Sequence, residues 1–270
     1  MKQVFLTEIV LLLAAAGPVQ AQEGELHGVI ELTYQSKYVW RGFDVYGDKS
    51  AIQPAIDLDL FGTGFGISAM GHRANSDKFE NRERWDYTLY YYNSLFDDEP
   101  YATNYRINWV YYNCPDGDKK EYDLQEVFAF LSWPNILPVE GLVPSYVLAK
   151  AWPSWSGSLA GSRSPLGGTA SGFCQIFMLD YCLSVQNLLP DIPEQVLRLH
   201  SEIVFNDGVG PAGQNIDHDW SNAVFGIATD FDLGNNLTFT PSVYHQITMD
   251  KSVNDDKDET WVSLSVKYRF

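Results

Sequence analysis

The amino-acid sequence predicts an all-β protein, a closed antiparallel transmembrane β-barrel of about twelve strands. Three observations support this fold class. Apolar and polar residues alternate in successive segments of roughly ten residues along the chain. The breaks between these segments alternate between long polar loops and shorter turns. The last segment ends on an aromatic residue, Phe270.

The first 21 residues have the pattern of a secretory signal peptide. Lys2 supplies the positive start, residues 9–16 form an unbroken apolar run, and small residues precede a cleavage site after Ala21. An uncleaved anchor is disfavoured because this run is far shorter than the ~20 residues that a spanning helix needs. We therefore expect export and a mature chain, residues 22–270, that forms a single barrel domain.

The alternating segments are the predicted strands. In the first, Ile30, Leu32 and Tyr34 share one parity while Glu31 and Thr33 share the other. The stretch after residue 191 also fits a capped helix, and we interpret it as a strand because its apolar residues alternate as well. The twelve predicted strands are 27–41, 52–60, 64–73, 84–93, 101–112, 123–133, 145–152, 172–185, 195–206, 219–231, 237–249 and 259–270.

The breaks divide into two kinds, as in outer-membrane barrels. Short turns such as 62–64 and 234–236 are rich in Gly and Asn. Sheets are tolerated in hydrocarbon only when they close, because every backbone N–H and C=O must then be paired within the protein. The inward face of such a barrel becomes the polar one. The longer polar breaks are 42–50, 74–83, 113–122, 153–171, 207–218 and 250–258.

Aromatic residues mark the expected membrane boundaries. Five tryptophans fall at predicted strand ends, where an apolar ring with one polar atom suits the headgroup region. Core packing in a soluble sandwich is the alternative, and parity points two of them, Trp220 and Trp261, inward. The five are Trp40, Trp85, Trp152, Trp220 and Trp261.

The carboxyl-terminal strand carries the sharpest local signal. Val266, Tyr268 and Phe270 alternate with Lys267 and Arg269. This ending resembles the terminal signature of bacterial outer-membrane proteins. The resemblance implies that Tyr268 and Phe270 are an assembly signal read by the barrel-assembly machinery.

The amino-terminal motif resembles a known family. Residues 38–42 (YVWRG), followed by 52–55 (IQPA) and 64–66 (GFG), are similar to the opening signature of the TorF-like putative porins. The likeness is specific over residues 29–70 and architectural beyond them. It implies an outer-membrane location, with outer-membrane lipid as surroundings and no particular cargo.

Composition excludes several functions. The chain has 35 acidic and 18 basic residues, a net charge of −17, which argues against a nucleic-acid partner. No nucleophile, P-loop or zinc motif is present, and the five histidines are scattered, so we predict no enzyme, no cofactor and no metal site. The acidic loop clusters at 116–118 and 255–259 could bind Ca²⁺ or Mg²⁺, and we interpret them as solvated surface because no spacing matches an EF-hand loop. The cysteines, Cys114, Cys174 and Cys182, are expected to pack rather than to pair.

Positions whose parity points inward carry charged residues of both signs. They either flank a water-filled path or pair with one another and plug a small lumen, because twelve strands lie between filled and channel-forming barrels. Glu126 shares parity with Phe128 and Phe130, which a bulge could reconcile. The predicted lumen-lining residues are Lys37, Arg41, Asp57, Asp59, Asp86, Arg106, Arg198, Glu202 and Lys267.

These patterns together predict an outer-membrane porin that admits small hydrophilic solutes or ions. The Ser/Gly-rich loop 153–171 is expected to fold inward and narrow the path. The alternatives are a non-conducting structural or surface-binding barrel, a barrel-embedded hydrolase and a soluble exported β-sandwich. The sequence leaves the oligomeric state open.

Overall fold

A computed structural model of the chain describes residues 25–79, 82–117, 123–154, 172–189, 192–208 and 218–270. The predicted signal peptide lies outside these residues. The strands are β1 His27–Gln35, β2 Val39–Trp40, β3 Phe43–Asp44, β4 Ala51–Asp59, β5 Phe65–Ala74, β6 Arg84–Leu95, β7 Thr103–Asn113, β8 Leu124–Ser132, β9 Leu142–Pro153, β10 Gly172–Leu189, β11 Ile192–Asp207, β12 Asp219–Thr229, β13 Phe231–Gly234, β14 Leu237–Thr248 and β15 Glu259–Arg269.

Twelve of these strands form one closed antiparallel wall. Their order is β1-β4-β5-β6-β7-β8-β9-β10-β11-β12-β14-β15, and β15 pairs with β1 to complete the ring. The short β13 extends the β12 side and pairs with β14, while β2 and β3 pair only with each other. The predicted fold class, a closed twelve-stranded barrel, is confirmed.

The predicted strands agree closely with the wall strands except the first, which was predicted to run to residue 41 and ends at Gln35. The helical alternative after residue 191 is wrong, because β11 pairs continuously with β10 over residues 194–207. The expected bulge near Glu126 is absent from the regular register of β8 with β7 and β9. Between the wall strands the described residues include two 3₁₀ turns, Asp77–Phe79 and Asn254–Asp256.

No helix among the described residues has the length and apolar character required to cross a membrane.

The outward face of the wall is apolar. Leu32, Leu89, Phe225 and Leu264 lie at outward positions with 53, 47, 49 and 39% of their surface exposed. Exposed apolar surface on this scale, continuous around the wall, is stable only against another apolar phase such as lipid. The arrangement of polar and apolar faces is therefore the inverse of that in a soluble sandwich, with the apolar face on the outside.

The two ends of the barrel differ. Both ends of the described chain lie at one end, here called the turn end, where Gly28 and Phe270 exchange two backbone hydrogen bonds of 2.9 and 3.0 Å. The opposite end, here called the loop end, bears the long connections. At the turn end β10 and β11 pair with each other beyond their last partners on β9 and β12, Leu142 and Thr229.

Adjacent residues of β6 test the assignment of the two faces. Leu89→Lys places a charge on the lipid face near mid-strand, and we expect it to lower the free energy of unfolding by about 2–4 kcal/mol. Thr88→Lys, the matched control, faces the interior and should cost less than half as much. Urea unfolding in lipid vesicles measures both. Equal losses in the two variants would contradict the assignment.

Candidate functional site in the barrel interior

The first long connection, residues 36–50, lies inside the barrel and is here called the inner segment. Its centre is the hairpin β2–β3, in which Trp40 pairs with Phe43 around a two-residue turn. Arg41 and Gly42 adopt φ values of 53° and 92°, the left-handed pair that such tight hairpins require. Gly42 is needed for a second reason, because a Cβ there would lie 2.7 Å from the Asn222 side chain.

One face of the inner segment packs on inward residues of β5, β6 and β7. The Tyr38 ring stacks on His72 with centroids 4.7 Å apart, and the Trp40 ring meets Tyr112 edge-on at 5.8 Å. The Arg84 guanidinium donates to the Tyr38 hydroxyl and lies 4.9 Å from the centres of both the Trp40 and Tyr112 rings. Desolvated cation–π contacts of this kind contribute about 2 kcal/mol each.

The tip of the hairpin reaches the other side of the wall. Gln246 on β14 donates a 2.8 Å hydrogen bond to the Gly42 carbonyl, and Phe43 packs on Val253. Strands β7 and β14 lie opposite each other in the ring of twelve. The inner segment therefore crosses the lumen at the loop end and occupies much of it.

Ion pairs join the two ends of the inner segment to each other and to the wall. The Lys37 ammonium lies 2.5 Å from Asp48 and 2.6 Å from Glu259, and these hydrogen bonds raise the pKa of Lys37 above its usual value. Asp44, Asp48 and Glu259 bring carboxylate oxygens within 4.8 Å of one another. Lys37 supplies the positive charge at this cluster. Glu259 is 5% exposed, so its interpretation as solvated surface is wrong.

Arg41 forms the central ion pair of the interior. Its Nη2 lies 2.6 Å from Glu126 Oε1, and the two side chains are 10 and 1% exposed. Burial opposes the charge of Arg41, but the Glu126 carboxylate raises its pKa above the usual value. Arg41 Nη1 and Glu126 Oε2 are buried without a hydrogen-bond partner. This pair explains why Glu126 can face inward among aromatic residues.

Charged side chains near the turn end are far more exposed than those near the loop end. Arg106 and Asp57, 3.5 Å apart, have side chains 37 and 39% exposed, whereas those of Arg84 and Asp86, 2.7 Å apart, are 7 and 15% exposed. The turn-end half of the lumen therefore has room for water, and the loop-end half is packed. The other half-exposed inward pairs are Arg198–Asp230, His200–Asp180 and Lys267–Glu31.

Three cavities lie in series beside the inner segment. The first, about 300 Å³, lies between Val39 and Arg41 on one side and Phe128, Ile176 and Glu202 on the other. The second, about 160 Å³, shares Val39, Arg41 and Glu202 with the first and reaches His200 and Tyr244. The third, about 330 Å³, shares His200 and Tyr244 with the second and is lined by Asp180, Cys182 and Arg198.

The predicted lumen-lining residues occupy three places. Lys37 and Arg41 belong to the inner segment and not to the wall. Asp86 is buried against Arg84 at the loop end, and Asp59 accepts a hydrogen bond from the Tyr92 hydroxyl at the turn end. The remaining five have inward side chains in the central and turn-end part of the lumen: Asp57, Arg106, Arg198, Glu202 and Lys267.

Several interior residues were missed by the sequence reasoning. Asp180 and His200, 2.7 Å apart, share inward parity with their strand neighbours, and that signal was readable in the sequence. The contacts of Arg84 and Tyr38 were not readable, because they depend on an inward fold of a connection.

The structure tests the expectations about the tryptophans at the loop end. Trp40 does not join a boundary girdle, because β1 ends at Gln35 and the chain turns into the lumen. Trp261 faces inward, as its parity predicted, with 8% of its surface exposed, and stacks on Tyr244. Trp220, for which parity predicted the same, is 38% exposed and packs on the exposed ring of Phe177. The loop expected to fold inward, 153–171, lies outside the described residues beyond position 154, so its inward fold stays a prediction.

The geometry defines an outer-membrane type of barrel, and comparison with solved structures agrees. The fold is similar to the KdgM porin, with a TM-score of 0.52 and 10% identity over 90% of this chain and 99% of that one. The NanC porin gives a TM-score of 0.51 and 11% identity over 89 and 98%. No protein-family model and no curated protein sequence matches the chain. The likeness establishes a porin-type fold, and the TorF-like family is not identified by it.

The buried Arg41–Glu126 pair generates a stability prediction. Arg41→Leu leaves the Glu126 carboxylate buried without a cation, and we expect a loss of about 3–5 kcal/mol in the free energy of unfolding. The double variant Arg41→Leu with Glu126→Leu removes both charges and should recover most of that loss. Urea unfolding followed by tryptophan fluorescence measures each. A double variant as unstable as the single one would contradict the pairing.

Proposed function

We propose that this chain is an outer-membrane porin that lets small hydrophilic solutes or ions pass passively through its lumen. The proposal rests on the partly exposed charged side chains that line the turn-end half of the lumen. Those of Asp180 and Arg198, for example, are 47 and 44% exposed. Charged groups with this much accessible surface inside a barrel indicate a water-filled interior. Rings of such groups sort ions in channels by their local field.

The proposal assigns the barrel a passive role and no catalysis. The porin-type fold is shared with KdgM, of which one solved form is described as a complex with disordered oligogalacturonate. That description supports solute passage through barrels of this shape.

A signal peptide cleaved after Ala21 and a carboxyl-terminal assembly signal complete the proposed route to the outer membrane. The Tyr268 and Phe270 rings stack with centroids 6.2 Å apart at the turn end and are 43 and 41% exposed. Their exposure leaves both rings available to the assembly machinery.

A non-conducting barrel is the second candidate function. It is favoured by the packing of the inner segment, in which Tyr46 is fully buried and its hydroxyl lies 2.9 and 3.0 Å from the carbonyls of His72 and Arg82. If the space beside the inner segment is too narrow for a hydrated ion, the barrel does not conduct. The barrel would then serve as a structural or surface-binding element.

One experiment tests the proposal. The protein is fractionated with membranes, examined by electrophoresis with and without heating, and inserted into planar bilayers. A closed barrel should show a heat-dependent change in mobility, and a porin should show discrete ion-conducting steps. Protein that inserts with the mobility change and never conducts would establish the second candidate.

We expect the inner segment to limit the conductance of the pore. Replacing residues 38–48 with a linker of about four Gly and Ser residues removes the aromatic side chains from the lumen. The linker is long enough because Gln35 and Ala51 are paired on neighbouring strands. We expect single-channel conductance to rise at least about twofold, because pore area controls passage through porins.

The heat-dependent mobility change serves as the control that the shortened barrel still forms. Conductance equal to that of the natural chain would show that the inner segment does not restrict the path.

A further inference from the structure

We propose that ions cross this barrel along the wall formed by β10 and β11, and that Glu202 and Asp180 make this route prefer cations. The proposal rests on the porin function proposed above and adds the position of the path and the residues that determine its selectivity. Four observations carry it.

The first observation is the one-sided attachment of the inner segment. Tyr38 and Trp40 fill the space against β5, β6 and β7 through His72, Arg84 and Tyr112. At the loop end, these packed side chains occupy the space on that side of the segment. The free space must lie on the other face of the segment, the face of Val39 and Arg41.

The second observation is the series of cavities on that face. Glu202 lines the first two, and His200 lines the second and third. Together they run from the Arg41–Glu126 pair along β11 to the turn-end mouth near Cys182. Residues 198, 200 and 202 alternate inward along this strand, which is how one strand lines a continuous path.

The third observation is a buried polar group without a hydrogen-bond partner on a residue that lines the first two cavities. Arg41 lines both of them, is nine-tenths buried, and its Nη1 has no hydrogen-bond partner among the described residues. A buried donor left in this state costs about 1–3 kcal/mol unless water or a solute accepts from it. The cavities are therefore suited to a hydrated path and not to dry packing.

The fourth observation is the charge balance of the route. Arg41 is neutralised by Glu126, and Arg198 by Asp230. The other two carboxylates, Asp180 and Glu202, face the same imidazole, His200, at 2.7 and 3.5 Å. One imidazole cannot neutralise two carboxylates even when it is protonated. The route keeps excess negative charge, which lowers the energy of a passing cation and raises that of an anion.

The experiment measures reversal potentials across planar bilayers under a potassium chloride gradient. The natural chain should favour potassium over chloride. Glu202→Gln and Asp180→Asn should each lower the potassium-to-chloride permeability ratio by about twofold or more. The matched control is Asp57→Asn on β4, which lies opposite β10 and removes the same charge from the far wall. It should shift the ratio by much less.

The natural Cys182 provides an independent readout. It is exposed in the third cavity, whereas Cys114 and Cys174 are buried. A methanethiosulfonate reagent with a trimethylammonium group should lower both the conductance and the potassium preference, and one with a sulfonate group should raise that preference. Cys182→Ser should abolish both effects.

The outcomes separate the two proposals. Protein that inserts and never conducts removes the porin function and this inference with it. Conduction with reversal potentials unchanged in Glu202→Gln and Asp180→Asn, or shifted equally by Asp57→Asn, overturns the inference and leaves the porin. Opposite effects of the two reagents together with the expected ratio changes establish the route.

Discussion

The structure depends on closure of its hydrogen-bonded ladder. A backbone group left unpaired in hydrocarbon costs several kcal/mol, so a sheet at that depth cannot have an edge. Pairing of β15 with β1 and of β12 with β14 removes the edges of the wall. Once the ring is closed, each strand has one face toward lipid and one toward the lumen. The lipid then fixes which face is apolar, and the polar face must line the interior.

The width of a twelve-stranded ring creates the next constraint. Wall side chains fill an eight-stranded barrel, and they leave an aqueous channel in one of sixteen. At twelve, this chain fills the loop-end half with its own first connection, using the rings of Tyr38, Trp40 and Tyr46. The turn-end half keeps its charged groups accessible. The inner segment thus divides the interior into a packed half and a polar half.

The pairing of charged groups also differs between the packed half and the accessible half of the interior. Where the interior is packed, cations sit against carboxylates, as in Arg41–Glu126 and Arg84–Asp86, because an unpaired buried charge is costly. Where the interior is accessible, Asp180 and Glu202 tolerate a shared neutral or singly charged partner in His200. The excess carboxylates are therefore stable only where water can reach them. The proposed cation preference rests on this accessibility.

The sequence by itself determined the wall. Period-two alternation, the two kinds of break and the aromatic ending depend on residues close together in the chain, so they predicted all twelve wall strands and the facing of Arg106, Glu202 and Lys267. Only the tertiary structure decided what fills the lumen. Tyr38 and Trp40 continue the outward parity of β1, and alternation alone extended that strand to Arg41. The chain instead bends after Gln35, because their rings find partners on His72, Arg84 and Tyr112, residues that are distant in sequence and meet only when the ring closes.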